Sequence, residues 1–278
     1  MQTKIKKLLL IEWGKILPYR VFQILGIIYV ASFLISIIAL PLIKLETSIT
    51  PEADILDIPS FYTFPIIWDT YAWLAAKSNL FLAIIVIFIV GNEYSYRTFR
   101  QHVVDGLSRN DLLNGKVISI VTIALANTLL IFILGLIFGL IYSSTFDLYD
   151  MVSRMYLVGV YFLQAVAYMI LAMFVAIWLR NKTLSIVVLL IFSLILEPII
   201  RLVLRKYVWS KIVLFFPVRA ITRLTPLPEN GLLSFIKANA ELNGLSESLP
   251  LYGGIMVVLV YTFLFYWGSK KILQYRDL

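Results

Sequence analysis

The chain contains no cysteine and a single histidine, His102. Without cysteine there is no disulfide and no thiolate chemistry, and the redox compartment cannot be read from the chain. One histidine excludes the usual two- or three-histidine zinc sites. Charge is scarce: 14% of the 278 residues are charged and 61% are hydrophobic. Soluble domains carry about a quarter charged residues and roughly half apolar ones, so the balance fits a lipid-exposed surface rather than one large aqueous core. The net charge of +8 is not a nucleic-acid signature, because the basic residues lie mostly at the ends of apolar segments and form no stripe. A P-loop is missing too. Gly14-Lys15 is followed by Ile16 and Gly115-Lys116 by Val117, where the motif needs Ser or Thr after Gly-Lys. No cleavable signal peptide is expected, since Glu12 and Lys15 interrupt the apolar stretch after Lys4, Lys6 and Lys7. No internal repeat or separate soluble domain is found, so residues 1–278 read as one transmembrane domain.

What the chain has instead is long apolar runs. A bilayer core needs about 20 apolar residues in a helix, and six segments qualify: 21–40, 67–90, 117–142, 155–179, 183–204 and 251–267. The fold class expected is an all-α polytopic membrane protein. Six spans put both termini on one side. That side carries 14 basic and five acidic residues, in the N-terminal arm, the 91–116 segment, Arg180 with Lys182, and the C-terminus; the rest of the chain carries 10 basic and 11 acidic. The positive-inside rule then places both termini in the cytoplasm of a plasma (inner) membrane. The basic run from Arg201 to Lys237 opposes this orientation, but longer connections obey the rule less well. Within it, residues 209–225 read as an interfacial or re-entrant segment, because the apolar stretch 212–216 stops at Pro217 and is too short to span. Residues 4–17 read as an amphipathic surface helix, with Ile5, Leu9, Trp13 and Ile16 on one side. Lys4, Lys7 and Lys15 gather on the other, and Lys6 and Glu12 spoil the pattern. The acidic stretch 46–57, near Pro51 and Pro59, reads as an exposed connection.

The polar segment 91–116, pinned between two apolar runs, is the most informative. Residues 94–104 contain no Pro or Gly and can be helical, and Gly106 suits the left-handed stop. Ser108 then suits an N-cap, with Asp111 completing a variant capping box. The expectation is a short helix, a tight break, and a fresh helix from about Arg109 into the membrane. Such a rigid knob between two spans can transmit force. Read alone, the same stretch could also be an ordinary solvated loop.

Glu93-Tyr94-x-Tyr96-x-Thr98-x-Arg100, followed by Asp105-Gly106-Leu107-Ser108-Arg109 and Leu112-x-x-x-Lys116, resembles the signature of the ABC-2 permeases, the membrane subunits of one class of ATP-binding-cassette exporters. The pattern departs from the family at Arg97, where glycine is usual, and at Gly106-Leu107, where a proline is frequent. The resemblance covers the whole chain: surface helix, six spans, the signature between spans two and three, and a helical connection between spans five and six. It implies a coupling helix over residues 94–105 seated in a groove of a separate ATPase subunit. Glu93 would stand at the membrane edge, and Tyr94, Arg97, Thr98, Arg100, Gln101, Ser108 and Arg109 would belong to the ATPase-coupling set. It also implies a second permease subunit, identical or not, with no cofactor on this chain and ATP-Mg on the partner.

Four ionisable residues fall in or near spans. Asp69 and Lys77 mark either a translocation path or an outer interfacial stretch, if that span begins only near Leu80. Glu197 and Arg201 are four apart with Pro198 between them, which reads as a gate hinge or as the frayed end of a helix. Gln164 reads as an interhelical hydrogen bond. An ion-coupled secondary transporter is the alternative function, although no inverted repeat supports it. An intramembrane hydrolase would need a catalytic set that one histidine does not supply. A non-catalytic permease in membrane lipid, with no nucleic-acid partner, is the expectation.

Overall fold

An apolar run in lipid must satisfy its backbone N–H and C=O groups internally, and the helix does this within one segment. The computed structural model accordingly shows helices and no sheet among the described residues, which are 2–39, 61–96, 98–104, 106–143, 147–207, 210–228 and 249–275. In chain order they are α1 (Gln2–Ile16), α2 (Arg20–Ala39), α3 (Ile66–Ser95), α4 (Thr98–Val104), α5 (Arg109–Tyr142), α6 (Leu148–Ser153), α7 (Tyr156–Leu179), α8 (Lys182–Ile191), α9 (Glu197–Tyr207), α10 (Pro217–Thr222) and α11 (Leu251–Tyr275). A π-helical turn, Phe192–Leu196, joins α8 to α9, and a 3-10 turn, Ser210–Phe215, leads to α10. Among the described residues, six helical segments are long and apolar enough to cross a membrane: Arg20–Ala39, Ile66–Ser95, Arg109–Tyr142, Leu148–Leu179, Lys182–Tyr207 and Leu251–Tyr275.

α7 is the axis of the bundle. It packs against α3, α5, α8, α10 and α11. Ala165, Ala167, Ala172 and Ala176 are fully buried on it, and small side chains let neighbouring backbones approach closely. Spans other than α3 and α7 turn many large apolar side chains outward, such as Ile27 and Ile35 on α2, Leu125 and Ile133 on α5, and Met256 and Phe263 on α11. In water such surfaces would be costly; against acyl chains they are the expected exterior.

The helices overrun the apolar runs that announce them. α3 continues to Ser95 and α5 begins at Arg109, so Tyr94 and Ser95 close α3 and the short helix shrinks to Thr98–Val104. α3 also starts at Ile66 and runs past Leu80 without a break, so Asp69 and Lys77 are on the same helix as Glu93. The reason is physical: a helix ends where its hydrogen bonds are capped or broken, not where hydropathy falls. The cap expected at Ser108 is present. Its side chain accepts from the Asp111 backbone N–H, and Asp111 returns the contact to the Ser108 backbone. Gly106 before it has φ +92°, a left-handed conformation that costs glycine little. Pro217 does end the preceding apolar stretch, but it also opens α10 from the first helical turn, where a missing N–H costs nothing. Trp209 and the 46–57 stretch lie outside the described residues.

Candidate functional site

At one end of the bundle, α1, α3, α4 and α5 meet around buried charges. Glu93 sits two residues from the end of α3 and Lys116 in the second turn of α5; both are buried, with Lys116 2% exposed. The Lys116 ammonium donates to Glu93 Oε1 at 2.5 Å and to Glu12 Oε2 at 2.5 Å. Lys15, one turn beyond Glu12 on α1, donates to Glu93 Oε1 at 3.1 Å and lies 3.6 Å from Glu12 Oε1. Its ammonium is also 2.7 Å from His102 Nε2 on α4. Since Lys15 can only donate, Nε2 is the acceptor and the ring carries no proton there. Two carboxylates and two ammoniums thus form a neutral chain from α5 through α3 and α1 to α4. Removing any one member would leave its partner charged, buried and uncompensated. Glu93 Oε2 has no hydrogen-bond partner among the described residues, and the cluster lines a cleft of about 200 Å³ with Tyr19, Asn92 and Thr98.

The neighbouring elements are held as tightly. Asn92 Oδ1 accepts from Lys182 at 3.4 Å and from Tyr19 at 3.5 Å, which joins α3 to the start of α8 and to the α1–α2 turn. Gly91 permits this approach, since a Cβ there would stand 2.7 Å from the Lys182 Cβ. α4 is anchored by Phe99, buried against the Tyr94 ring at 4.8 Å. Arg180 lies over the same Tyr94 ring, 5.8 Å from its centroid. On its open side α4 presents Gln101 and Val104, and Tyr96 stands exposed just before it.

Of the residues expected to contact a partner, Glu93, Tyr94, Thr98, Gln101, Ser108 and Arg109 gather at this end. Glu93 and Tyr94 face inward, Thr98 Oγ1 lies 3.5 Å from the Glu93 carbonyl, and Ser108 is spent on its cap. Arg109 donates to the carbonyls of Leu273 and Gln274 at 2.8 and 3.0 Å, binding α5 to the last turn of α11. Arg97 and the Arg100 side chain lie outside the described residues. Sequence reasoning missed Glu12, Lys15, Lys116 and His102 as members of the cluster. Glu12, which seemed to spoil the apolar face of α1, is buried on that face because Lys116 receives it.

The four span residues fall elsewhere. Asp69 is buried near the start of α3 and accepts from Arg154 at 2.6 Å. Lys77 is exposed, its ammonium 5.0 Å above the Trp73 ring. Glu197 is 1% exposed, accepts from the Val218 and Arg219 backbone N–H groups at 2.9 and 2.6 Å, and lies 3.8 Å from Arg201 Nε. The frayed helix end is therefore not what forms. The helix passes Pro198 by widening into the π turn before it, and Glu197 ties that point to the N-terminus of α10. Gln164 accepts from Thr225 at 2.9 Å. A buried network without precedent in the sequence reading joins four helices at mid-bundle: Asn127 donates to Tyr29 and Tyr161 at 2.6 Å each, and Tyr161 donates to Asn79 at 3.0 Å.

Helical architecture, six candidate spans and apolar exterior define a multi-pass membrane protein. The chain belongs to the family described as "Protein of unknown function (DUF2705)", which it matches over residues 62–278, from just before α3 to the end. Glu93, His102 and Lys116 lie inside that match, whereas Glu12 and Lys15 precede it. A comparison with curated proteins finds no match.

Proposed function

We propose that this chain is the permease subunit of an ATP-driven exporter of the ABC-2 kind, building a substrate path with a second permease and driven by separate ATPase subunits. The observation that carries the reading is α4: a short helix clamped between two spans and tied through Lys15, Glu93 and Lys116 to three others. A push on α4 reaches α1, α3 and α5 together, because a packed ionic cluster yields as a unit rather than residue by residue. Tyr96, Gln101 and Val104 form the open side that meets the ATPase. In this reading α1 lies along the cytoplasmic membrane surface, both termini are cytoplasmic in the plasma membrane, and the segment from α9 to α10 is re-entrant.

Copurification from the native host in mild detergent tests it, comparing wild type with Val104→Glu. Recovery of an ATP-binding-cassette ATPase with wild type, lost in the variant, is the expected result. Transport by the purified chain alone under an ion gradient, with no ATPase, would instead establish the secondary transporter.

A further inference from the structure

His102 is the one imidazole of the chain, and it stands where α4 meets α1. Its Nε2 accepts from the Lys15 ammonium at 2.7 Å, the side-chain hydrogen bond that ties α4 to α1 among the described residues. Lys15 is also held by two carboxylates, Glu93 Oε1 at 3.1 Å and Glu12 Oε1 at 3.6 Å. The ring is half-buried, so protons from the aqueous side can reach it. The rest of the anchorage of α4 is of another kind: Phe99 is buried against the Tyr94 ring at the end of α3. Packing of that sort does not respond to pH, whereas the bond to Lys15 does.

Neutral imidazole has one donor nitrogen and one acceptor, and imidazolium has two donors. An ammonium has donors only. A proton on Nε2 therefore sets donor against donor, and charge against like charge, across the gap that the hydrogen bond had closed. Lys15 keeps its two carboxylates, so the ring is the group that leaves. The charged groups on this side of α4 are Glu12 and Lys15 of α1, Glu93 of α3 and Lys116 of α5, which already balance one another. Arg109 and Asp111 at the start of α5 are engaged with α11 and with the Ser108 cap, and Arg180 lies over Tyr94. Among the described residues the ring pairs with no carboxylate that would receive an added charge. Histidine is the side chain whose ordinary charge change falls between about pH 5 and 8.

We propose that His102 is a proton-operated latch: neutral, it fastens α4 to α1 through Lys15, and protonated at Nε2 it lets α4 go. The latch needs only this chain. Its consequence for transport rests on the permease reading: if α4 receives the push of an ATPase, release from α1 shortens the path of that push, and transport falls as the cytoplasm acidifies.

A single histidine makes the test site-specific. Full-length protein with isotope-labelled histidine, in lipid nanodiscs and without any ATPase, is titrated by NMR from about pH 8 to about pH 5. Hydrogen exchange of α1 and α4 is read by mass spectrometry at both ends of the titration, corrected for the intrinsic pH dependence of exchange. At the alkaline end the ring is the Nδ1–H tautomer with Nε2 bare. At the acid end it is the imidazolium, and protection of α4 falls about tenfold, the effect of losing one hydrogen bond to a charged group. His102→Gln places an amide oxygen that accepts from Lys15 and does not titrate, so its protection stays at the alkaline wild-type level throughout. An Nε2–H tautomer at the alkaline end, a protonated ring with unchanged protection, or a loss of protection that persists in His102→Gln overturns the latch. The first two are read on wild type and stand even if the variant folds poorly. No ATPase is present, so the latch and the permease reading fail separately.

Discussion

The two ends of this bundle bury charge in opposite ways. At the α4 end, Glu12 and Glu93 are matched by Lys15 and Lys116, whose ion pairs join α1, α3 and α5, and the Lys15–His102 hydrogen bond adds α4. At the far end, Glu197 accepts the Val218 and Arg219 backbone N–H groups of α10 and lies 3.8 Å from Arg201. The first arrangement is a closed lock, whose members need each other to stay charged. The second holds its carboxylate on the backbone N–H groups at the start of α10, with Arg201 at its side. Charge within or beside a span is thus held in two ways here: by ion pairs between helices, and by backbone N–H groups at the start of a helix.

That contrast can be broken by substitution, and the effects should fall in order. Lys116→Met removes both short contacts and leaves two buried carboxylates facing each other; it should cost about 3–5 kcal/mol, read as a large fall in thermal unfolding temperature in detergent. Adding Glu12→Gln and Glu93→Gln should recover much of that loss, because the unmatched charges are then gone. Gly91→Val comes next, since a Cβ there meets Lys182 at 2.7 Å, and the overpacking should cost about 1–3 kcal/mol by the same assay. Asn127→Leu, which removes two hydrogen bonds of the mid-bundle network, should cost about 0.6–1.7 kcal/mol, the range for such bonds between membrane helices. Arg201→Gln should do least, because Glu197 keeps both of its backbone N–H donors. A loss at Arg201 as large as that at Lys116 would show that the far end is a lock as well.

How much of this was legible beforehand follows from the range of the forces involved. The spans were readable because lipid demands continuous apolar helices, and the Gly106 stop and the Ser108–Asp111 cap were readable because they are decided within a few residues. The start of α5 near Arg109 was readable with that cap, but the length of α3 was not, since its last polar turn is stabilised by Lys15 and Lys116 contacts made across the fold. Glu12 shows the limit best. Its partner lies 104 residues away, so on its own helix it looked like a flaw in an apolar face. The π turn before Pro198 and the Tyr29–Asn127–Tyr161 network depend in the same way on neighbours that no local pattern announces.

The absence of cysteine makes the most direct test of the central claim a clean one. A single cysteine introduced by Val104→Cys, on the open side of α4, would be treated with a short thiol-to-amine crosslinker in intact membranes of the native host, and the adducts identified by mass spectrometry. The account predicts one dominant adduct with an ATP-binding-cassette ATPase, lost when Val104→Glu replaces it in a control carrying the cysteine at Gln101. A fully labelled chain that yields no ATPase adduct from either position would contradict the assignment of α4 as the coupling surface.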